Sequence, residues 1–158
     1  MIKSHTLENE LLKIKTINIG ASLYEVIDKR KKINLILNLG NFKNYLKNKP
    51  YLGATCGRFA NRIENGQFKI DSQTYQLSKN EGRNILHGGH QGFDSKIWKI
   101  KRQNSNSITY EYLSPHLEEG FPGNLKVQCK YQIHKNSFKI IFSAQSDQKS
   151  HVNLVNHA

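Results

Sequence analysis

The chain has 158 residues, of which 37% are apolar, and these fall in regular runs that predict a folded protein and exclude a disordered one. Its two cysteines, Cys56 and Cys129, come without a CxxC or Cys/His spacing, which excludes a disulfide framework and argues against a zinc site. The formal net charge of +12 is compatible with nucleic-acid binding, but apart from residues 29–32 the lysines are spread out, so we predict a solvated basic surface.

The amino-terminal residues contain no apolar segment typical of a secretory signal, and no stretch approaches the roughly 18 apolar residues of a membrane span. We therefore expect a cytoplasmic protein with no membrane or nucleic-acid partner. The absence of metal-ligand spacing among the cysteines and histidines also argues against a metal site.

The first predicted elements are a pair of strands at Leu12–Ile17 and 20–27, where apolar residues alternate with polar ones. The apolar run at 33–39 predicts a strand that is buried on both faces. Residues 41–49 predict a short helical turn, which ends before Pro50 because a residue that precedes proline disfavours the helical conformation.

Hairpins dominate the rest of the chain. Residues 67–70 and 74–77 flank a polar turn, and shorter strand patterns follow at 98–101 and 108–112. The strongest alternation runs through 125–133 and 138–144, with a turn composition between them. Many short strands with turn signals indicate an all-β sandwich or barrel, and we expect one domain over residues 1–158.

Residues 53–63 interrupt the strand pattern with glycine, asparagine and arginine. Asn61 and Arg62 offer an amide and a planar fork of donors, which suit the paired hydroxyl groups of a sugar. A structural alternative is that Arg58 and Arg62 bind loop carbonyls or pair with Glu64.

A second interruption at 84–94 places His87 beside two glycines, which leave the ring accessible. Histidine titrates near pH 6.5 (roughly) and so suits proton exchange. The alternative is a turn in which His87 binds a nearby carbonyl group. In the third interruption, at 114–124, Glu118 and Glu119 are adjacent and should point to opposite sides, so we favour a structural loop over a catalytic pair.

Four motifs in this order carry a resemblance to a known family. They are GRxANRI at 57–63, NxLHGGxxGFD at 84–94 with Trp98 after it, EEGFPG at 118–123, and VNLTNH at 152–157 with Val155 in place of threonine. Together they resemble the aldose 1-epimerase (galactose mutarotase) family, in its N-terminal part. The chain departs from the family pattern at His116 and Leu117, where Asp-Gly is frequent.

The resemblance implies an incomplete antiparallel β-sandwich, the galactose mutarotase-like supersandwich. It implies that His157 is the general acid that protonates the ring oxygen of a small aldose. It also implies that His87 lines the sugar site and that Asn61 and Arg62 bind sugar hydroxyls, with no metal or cofactor. The glutamate base and an aspartate of the family fall in its later half and have no counterpart here.

We therefore expect the chain alone to have little or no epimerase activity. We also expect self-association or pairing with a separate second-half polypeptide. Two other functions remain open: a non-catalytic carbohydrate-binding module, which would bind sugar without turnover, and a hexose-6-phosphate 1-epimerase, which would need a phosphate-binding cation.

Overall fold

Short antiparallel strands make up most of the fold in the computed structural model, which describes residues 1–158. The strands are β1 (Ser4–Glu8), β2 (Leu12–Ile17), β3 (Ser22–Asp28), β4 (Ile33–Asn34), β5 (Thr55–Cys56), β6 (Arg62–Ile63), β7 (Gln67–Ile70), β8 (Gln73–Gln76), β9 (Ile85–Leu86), β10 (Lys99–Gln103), β11 (Ser107–Ser114), β12 (Leu125–His134), β13 (Ser137–Ser146) and β14 (Val155–Asn156). Short 3-10 helices lie at Phe42–Lys47, Glu64–Gly66, Phe93–Ser95 and Glu118–Gly120.

The first four strands form one antiparallel sheet in the order β1-β2-β3-β4. The predicted strand pair at β2 and β3 is confirmed, and the buried positions of β2 alternate as its sequence indicates. Strand β1 was not predicted, because Leu7 is the single apolar residue in its five. Leu7 lies opposite Ile14 and is buried, so tertiary pairing rather than local pattern forms this strand.

The second sheet has the order β10-β11-β12-β13 and contains the predicted long hairpin. Strands β12 and β13 pair in register over their whole lengths, from Leu125 opposite Ser146 to His134 opposite Ser137. The alternation that predicted them is the burial pattern of β12, in which every odd-numbered residue from Leu125 to Ile133 is buried.

The two sheets pack face to face around the main hydrophobic core. The first sheet contributes Leu7, Ile14, Leu23 and Val26, and the second contributes Ile108, Tyr110, Val127, Cys129, Tyr131 and Ile133. Two polar bridges cross this interface. The hydroxyls of Thr16 and Tyr110 are 2.8 Å apart, and the Tyr131 hydroxyl donates to the Ala21 carbonyl at 2.7 Å. Buried tyrosines thus keep their polar atoms satisfied inside the sandwich.

The prediction for residues 33–39 was wrong. Only Ile33–Asn34 forms a strand, on the edge of the first sheet, and Leu35 and Leu37 are 54% and 76% exposed. No second layer covers this segment, so its apolar run does not become a buried strand. The helical turn predicted at 41–49 is confirmed as a 3-10 helix at Phe42–Lys47, where the Asn41 side chain accepts from the Lys43 backbone N–H.

Three small two-stranded sheets lie outside the sandwich layers: β5 with β14, β6 with β9, and the hairpin of β7 and β8. The pairing of β5 with β14 brings the last residues of the chain beside residues 53–56. The pairing of β6 with β9 sets Arg62 opposite Leu86. These two ladders place the unusual segments of the sequence next to one another.

Candidate functional site

The backbones of Asn61 and His87 lie side by side at the end of the β6–β9 ladder. The His87 N–H donates to the Asn61 carbonyl at 3.1 Å, and the Asn61 N–H donates to Nδ1 of the His87 ring, also at 3.1 Å. Both residues have positive φ angles, 68° for Asn61 and 51° for His87. Left-handed backbone in residues other than glycine is costly and tends to gather at functional sites.

The hydrogen bond to Nδ1 sets the tautomer of His87. Since Nδ1 accepts a hydrogen bond, the neutral ring carries its proton on Nε2. Burial lowers the pKa of His87, and the nearby charges of His157 and Arg62 lower it further, while Glu81 acts in the opposite direction. At neutral pH the ring is therefore an uncharged group that presents an N–H.

His157 reaches the same place from the end of the chain. Its backbone N–H donates to the Ala54 carbonyl, and its own carbonyl accepts from Gly53, both at 2.9 Å. The His157 ring lies edge-on to His87, with ring centroids 5.2 Å apart. Its side chain has no hydrogen-bond partner within the protein and is exposed, so it is accessible to a bound molecule.

Tyr51 is an aromatic neighbour of both histidines. Its ring centroid is 4.7 Å from that of His87 and 6.0 Å from that of His157. Tyr51 also has a positive φ angle, 59°. Burial raises its pKa, with a smaller contribution from Asp94. The three rings form a continuous aromatic surface, and we name Tyr51, Asn61, Arg62, His87 and His157 the histidine cluster.

Arg62 joins the histidine cluster through an exposed ion pair. Its guanidinium donates to both carboxylate oxygens of Glu81, at 2.6 and 2.5 Å, and approaches the Asn61 side-chain oxygen at 3.4 Å. The bond from Arg62 lowers the pKa of Glu81, so this carboxyl stays ionised. The pair fixes the guanidinium at the edge of the cluster, with further N–H groups available to a ligand.

Arg58 has a different role, although it comes from the same motif. It is buried, and its guanidinium donates to the carbonyls of Ser114, Pro115 and Pro122 and to the Ser114 hydroxyl. The structural alternative in the sequence is therefore correct for Arg58. For Arg62, the partner is Glu81 rather than the Glu64 that we considered.

Glu118 and Glu119 both support structure. Glu118 binds the Tyr112 hydroxyl at 2.6 Å, Lys96 at 2.9 Å and the Ser114 hydroxyl. Burial acts to raise the pKa of Glu118, but these partners outweigh it and hold the pKa below its usual range. The Glu119 carboxylate accepts from the backbone N–H groups of His90 and Gln91 at 3.1 and 3.0 Å. Neither carboxylate faces the histidine rings as a free base.

Asp94 has a carboxyl oxygen without a partner. Its Oδ1 atom is buried and makes no hydrogen bond. Burial raises the pKa of Asp94 to about 6, and the charge of Glu119 adds to the shift. A carboxyl in this state holds its proton in mildly acidic solution.

The sequence pointed to Asn61, Arg62, His87 and His157, and the structure brings all four together. The sequence analysis did not identify Tyr51 and Glu81. Tyr51 follows Pro50 in a segment without periodicity, and Glu81 lies in a polar turn, so no local pattern marked either residue.

No group of three or more histidine, cysteine, aspartate or glutamate side chains is arranged to hold a metal ion. No helix in the structure combines the length and the apolar character that crossing a membrane requires. Both cysteines are free and buried, and burial raises the pKa of each to about 12, which leaves them as unreactive thiols.

A family model described as Aldose 1-epimerase matches residues 3–158. The chain belongs to the aldose 1-epimerase family. The galactose mutarotase of Pongo abelii is 38% identical to it over 160 residues, covering 99% of this chain and 46% of that protein. The chain thus spans about half the length of the curated relatives it matches.

Two solved structures give the same result for the fold. A GalM/aldose epimerase homologue from C. elegans matches with a TM-score of 0.93 and 27% identity, covering 99% of this chain and 50% of that one. Galactose 1-epimerase from Lactobacillus acidophilus matches with a TM-score of 0.86 and 30% identity, covering 99% and 52%. The predicted antiparallel, galactose mutarotase-like fold of the aldose 1-epimerase family is confirmed, as is its N-terminal extent.

Proposed function

We propose that the histidine cluster binds a free aldose in its pyranose form and takes part in exchange between its α and β anomers. The observation that carries this proposal is the 5.2 Å approach of the His87 and His157 rings beside Asn61 and Arg62. Ring opening needs a base at the anomeric hydroxyl and an acid at the ring oxygen. We assign His157 as the acid, because its ring is exposed and has no partner within the protein.

In this proposal the other members of the histidine cluster bind and orient the sugar. His87 donates from Nε2 to a hydroxyl oxygen, and the amide of Asn61 and the guanidinium of Arg62 bind neighbouring hydroxyls. Neutral and charged donors held in place by the backbone suit hydroxyl groups, which both donate and accept. Galactose is the sugar in the names of the relatives, and we propose glucose beside it as a second free aldose.

We further propose that the base of the reaction comes from outside these 158 residues. Glu81 is ion-paired with Arg62, Glu118 and Glu119 are held by other partners, and His157 contacts no carboxylate. We expect the chain alone to bind sugar with little turnover, as a cytoplasmic protein of hexose metabolism in which residues 1–158 form one domain.

We also propose that the outer edge of β13 pairs with the part of the polypeptide that corresponds to the rest of the relatives. This ten-residue strand bonds to β12 alone, and Ile141 on it is 43% exposed. A long, weakly charged edge strand is prone to pairing with other strands. Without that partner we expect self-association, which sedimentation velocity measures; a monomer at high concentration would argue against an edge in need of a partner.

The test of sugar binding is a titration of the chain with glucose and galactose, followed by amide and histidine NMR signals. We expect perturbations at the histidine cluster and weaker binding in Arg62→Gln. Arg83→Gln is the matched control, since Arg83 also forms an exposed pair with a glutamate, Glu64, and neither residue belongs to the cluster. Equal binding by the two variants, or no perturbation at either histidine, would reject the assignment.

Turnover is tested separately by polarimetry on freshly dissolved α-glucose. We expect a rate close to that of the buffer alone. A rate that depends on protein concentration and is lost in His157→Gln would show that a base is present within the chain, and would overturn the proposal that the base comes from elsewhere.

A further inference from the structure

The turn that carries His87 is held at both ends by side chains from outside it. The Asn80 amide donates to the carbonyls of Leu86 and Gly89, both at 2.9 Å, and its oxygen accepts from the Leu86 N–H at 2.7 Å. Asn80 therefore binds the residue before His87 and the second residue after it.

Glu119 holds the next part of the same segment. Its carboxylate accepts from the consecutive backbone N–H groups of His90 and Gln91. A side chain at Gly89 would overlap with this carboxylate, so the segment lies directly against Glu119. Asn80 and Glu119 together fix the backbone from Leu86 to Gln91.

The segments that carry Asn80 and Glu119 are also hydrogen-bonded to each other. The Glu119 carbonyl accepts from the N–H of Ser78 at 3.1 Å, two residues before Asn80. Next to it, Gly120 packs so closely on the backbone of Gln76 and Leu77 that no side chain would fit. The loop with the two glutamates is thus joined to the segment that bears Asn80, and both are anchored away from the ring of His87.

We propose that Asn80 and Glu119 are positioning residues that hold the His87 ring in the geometry in which its Nδ1 accepts from Asn61 and its Nε2–H faces the ligand. The reason is energetic. His87 has a left-handed backbone, which is strained for an L-residue, so the turn relaxes unless its flanks are fixed. Only the consequence for sugar binding rests on the proposed function; the positioning of the His87 ring does not.

The test measures the His87 ring itself by NMR in the folded chain. In Asn80→Ala and Glu119→Ala we expect the pKa of His87 to rise toward the ordinary value of 6.5, because a released ring gains solvent. The charged groups that face the ring are His157, Arg62 and Glu81, and neither substitution removes any of them. The Asn61 amide signal should also lose its hydrogen-bond shift.

Two matched controls separate positioning from general destabilisation. Asn104 holds another turn with the same kind of side-chain amide, whose oxygen accepts from the N–H groups of Asn106 and Ser107. Asp28 accepts from the consecutive N–H groups of Arg30 and Lys31, as Glu119 does for its own pair. Asn104→Ala and Asp28→Ala should lower the melting temperature by a similar amount and leave the His87 pKa and the Asn61 signal unchanged.

Glu119→Gln is a milder substitution that retains one oxygen acceptor, so it should raise the His87 pKa by less than Glu119→Ala. It allows the test to be made where an alanine variant does not fold. An unchanged His87 pKa and Asn61 signal in folded Asn80→Ala, or in folded Glu119→Gln, would overturn the proposal. Sugar affinity is the second readout, with about tenfold weaker binding expected in Asn80→Ala. A wild-type chain that binds no sugar would reject the proposed function and leave the ring measurement valid.

Discussion

Nδ1 of His87 accepts the backbone N–H of Asn61 at 3.1 Å, and this side-chain bond adds to the backbone pairing between two motifs whose bonded residues are 26 positions apart. It requires an unprotonated Nδ1, so protonation of His87 and the geometry of the histidine cluster are coupled. The pKa of His87 is lowered by burial first, and then by His157 and Arg62.

The first prediction is that His87 makes the fold less stable in acid. The folded-state pKa lies below the ordinary 6.5, so the unfolded chain binds a proton at this site before the folded chain does. At a pH well above 6.5, the titration of His87 contributes nothing to the free energy of unfolding. As the pH falls through 6.5 toward the folded-state pKa, this contribution becomes unfavourable to the folded state. As the pH falls from about 7.5 to about 5.5, the free energy of unfolding measured in urea should therefore decrease more in the wild type than in His87→Gln. Parallel pH profiles would contradict the coupling.

The second prediction concerns Asp94 and has the opposite sign. Its folded-state pKa is raised from 3.8 to about 6, so the folded chain binds the proton more tightly than the unfolded chain. The ionised carboxyl destabilises the fold above about 6, and the penalty disappears as the pH falls toward 3.8. Asp94→Asn should raise the free energy of unfolding at neutral pH by about 1–3 kcal/mol, with the gain vanishing near pH 4 (roughly). Chemical denaturation at both pH values measures this, and a gain of the same size at both would exclude titration as its cause.

The third prediction separates Arg58, the buried arginine of the GRFANRI segment, from an exposed arginine. Arg58→Ala leaves three carbonyl groups and the Ser114 hydroxyl without their donor inside the protein, and should cost about 3 kcal/mol or more, enough to threaten folding. Arg83→Ala, the exposed control with side-chain exposure of 72%, should change stability by less than about 1 kcal/mol. Similar losses in the two variants would mean that the buried guanidinium is not supporting the loop.

The long hairpin of β12 and β13 could be predicted from the sequence because its two faces differ: one packs on the core and the other meets solvent, so alternation records burial directly. The apolar run at 33–39 also indicated burial, on both faces of a strand, but no layer covers it, and coverage is a property of the whole fold. Leu7 shows the reverse case, since one apolar residue formed a buried strand through its partner Ile14.

For the site, the sequence indicated the residue types but not the contacts. Asn61 and His87 stood out as polar residues among glycines, whereas His157 gained meaning only from the family resemblance. Tyr51 could not be inferred, because its approach to His157 depends on the pairing of β5 with β14, which joins segments about 100 residues apart. Long-range pairing of two-residue strands leaves almost no periodicity to detect.

The last prediction tests the close packing behind the His87 turn. Gly88 has a φ of 90°, and a Cβ there would overlap with the Gly57 carbonyl, a backbone atom that cannot move aside. Gly88→Ala should therefore destabilise the fold by several kcal/mol or displace the turn and abolish sugar binding.

Gly82→Ala is the matched control: Gly82 also has a positive φ, 57°, but no atom lies within 4 Å of its added Cβ. It should cost only the backbone strain of about 1–2 kcal/mol and leave the His87 signals in place. Thermal unfolding and histidine NMR of both variants measure the difference, and equal behaviour of the two would show that contact with Gly57 does not fix this turn.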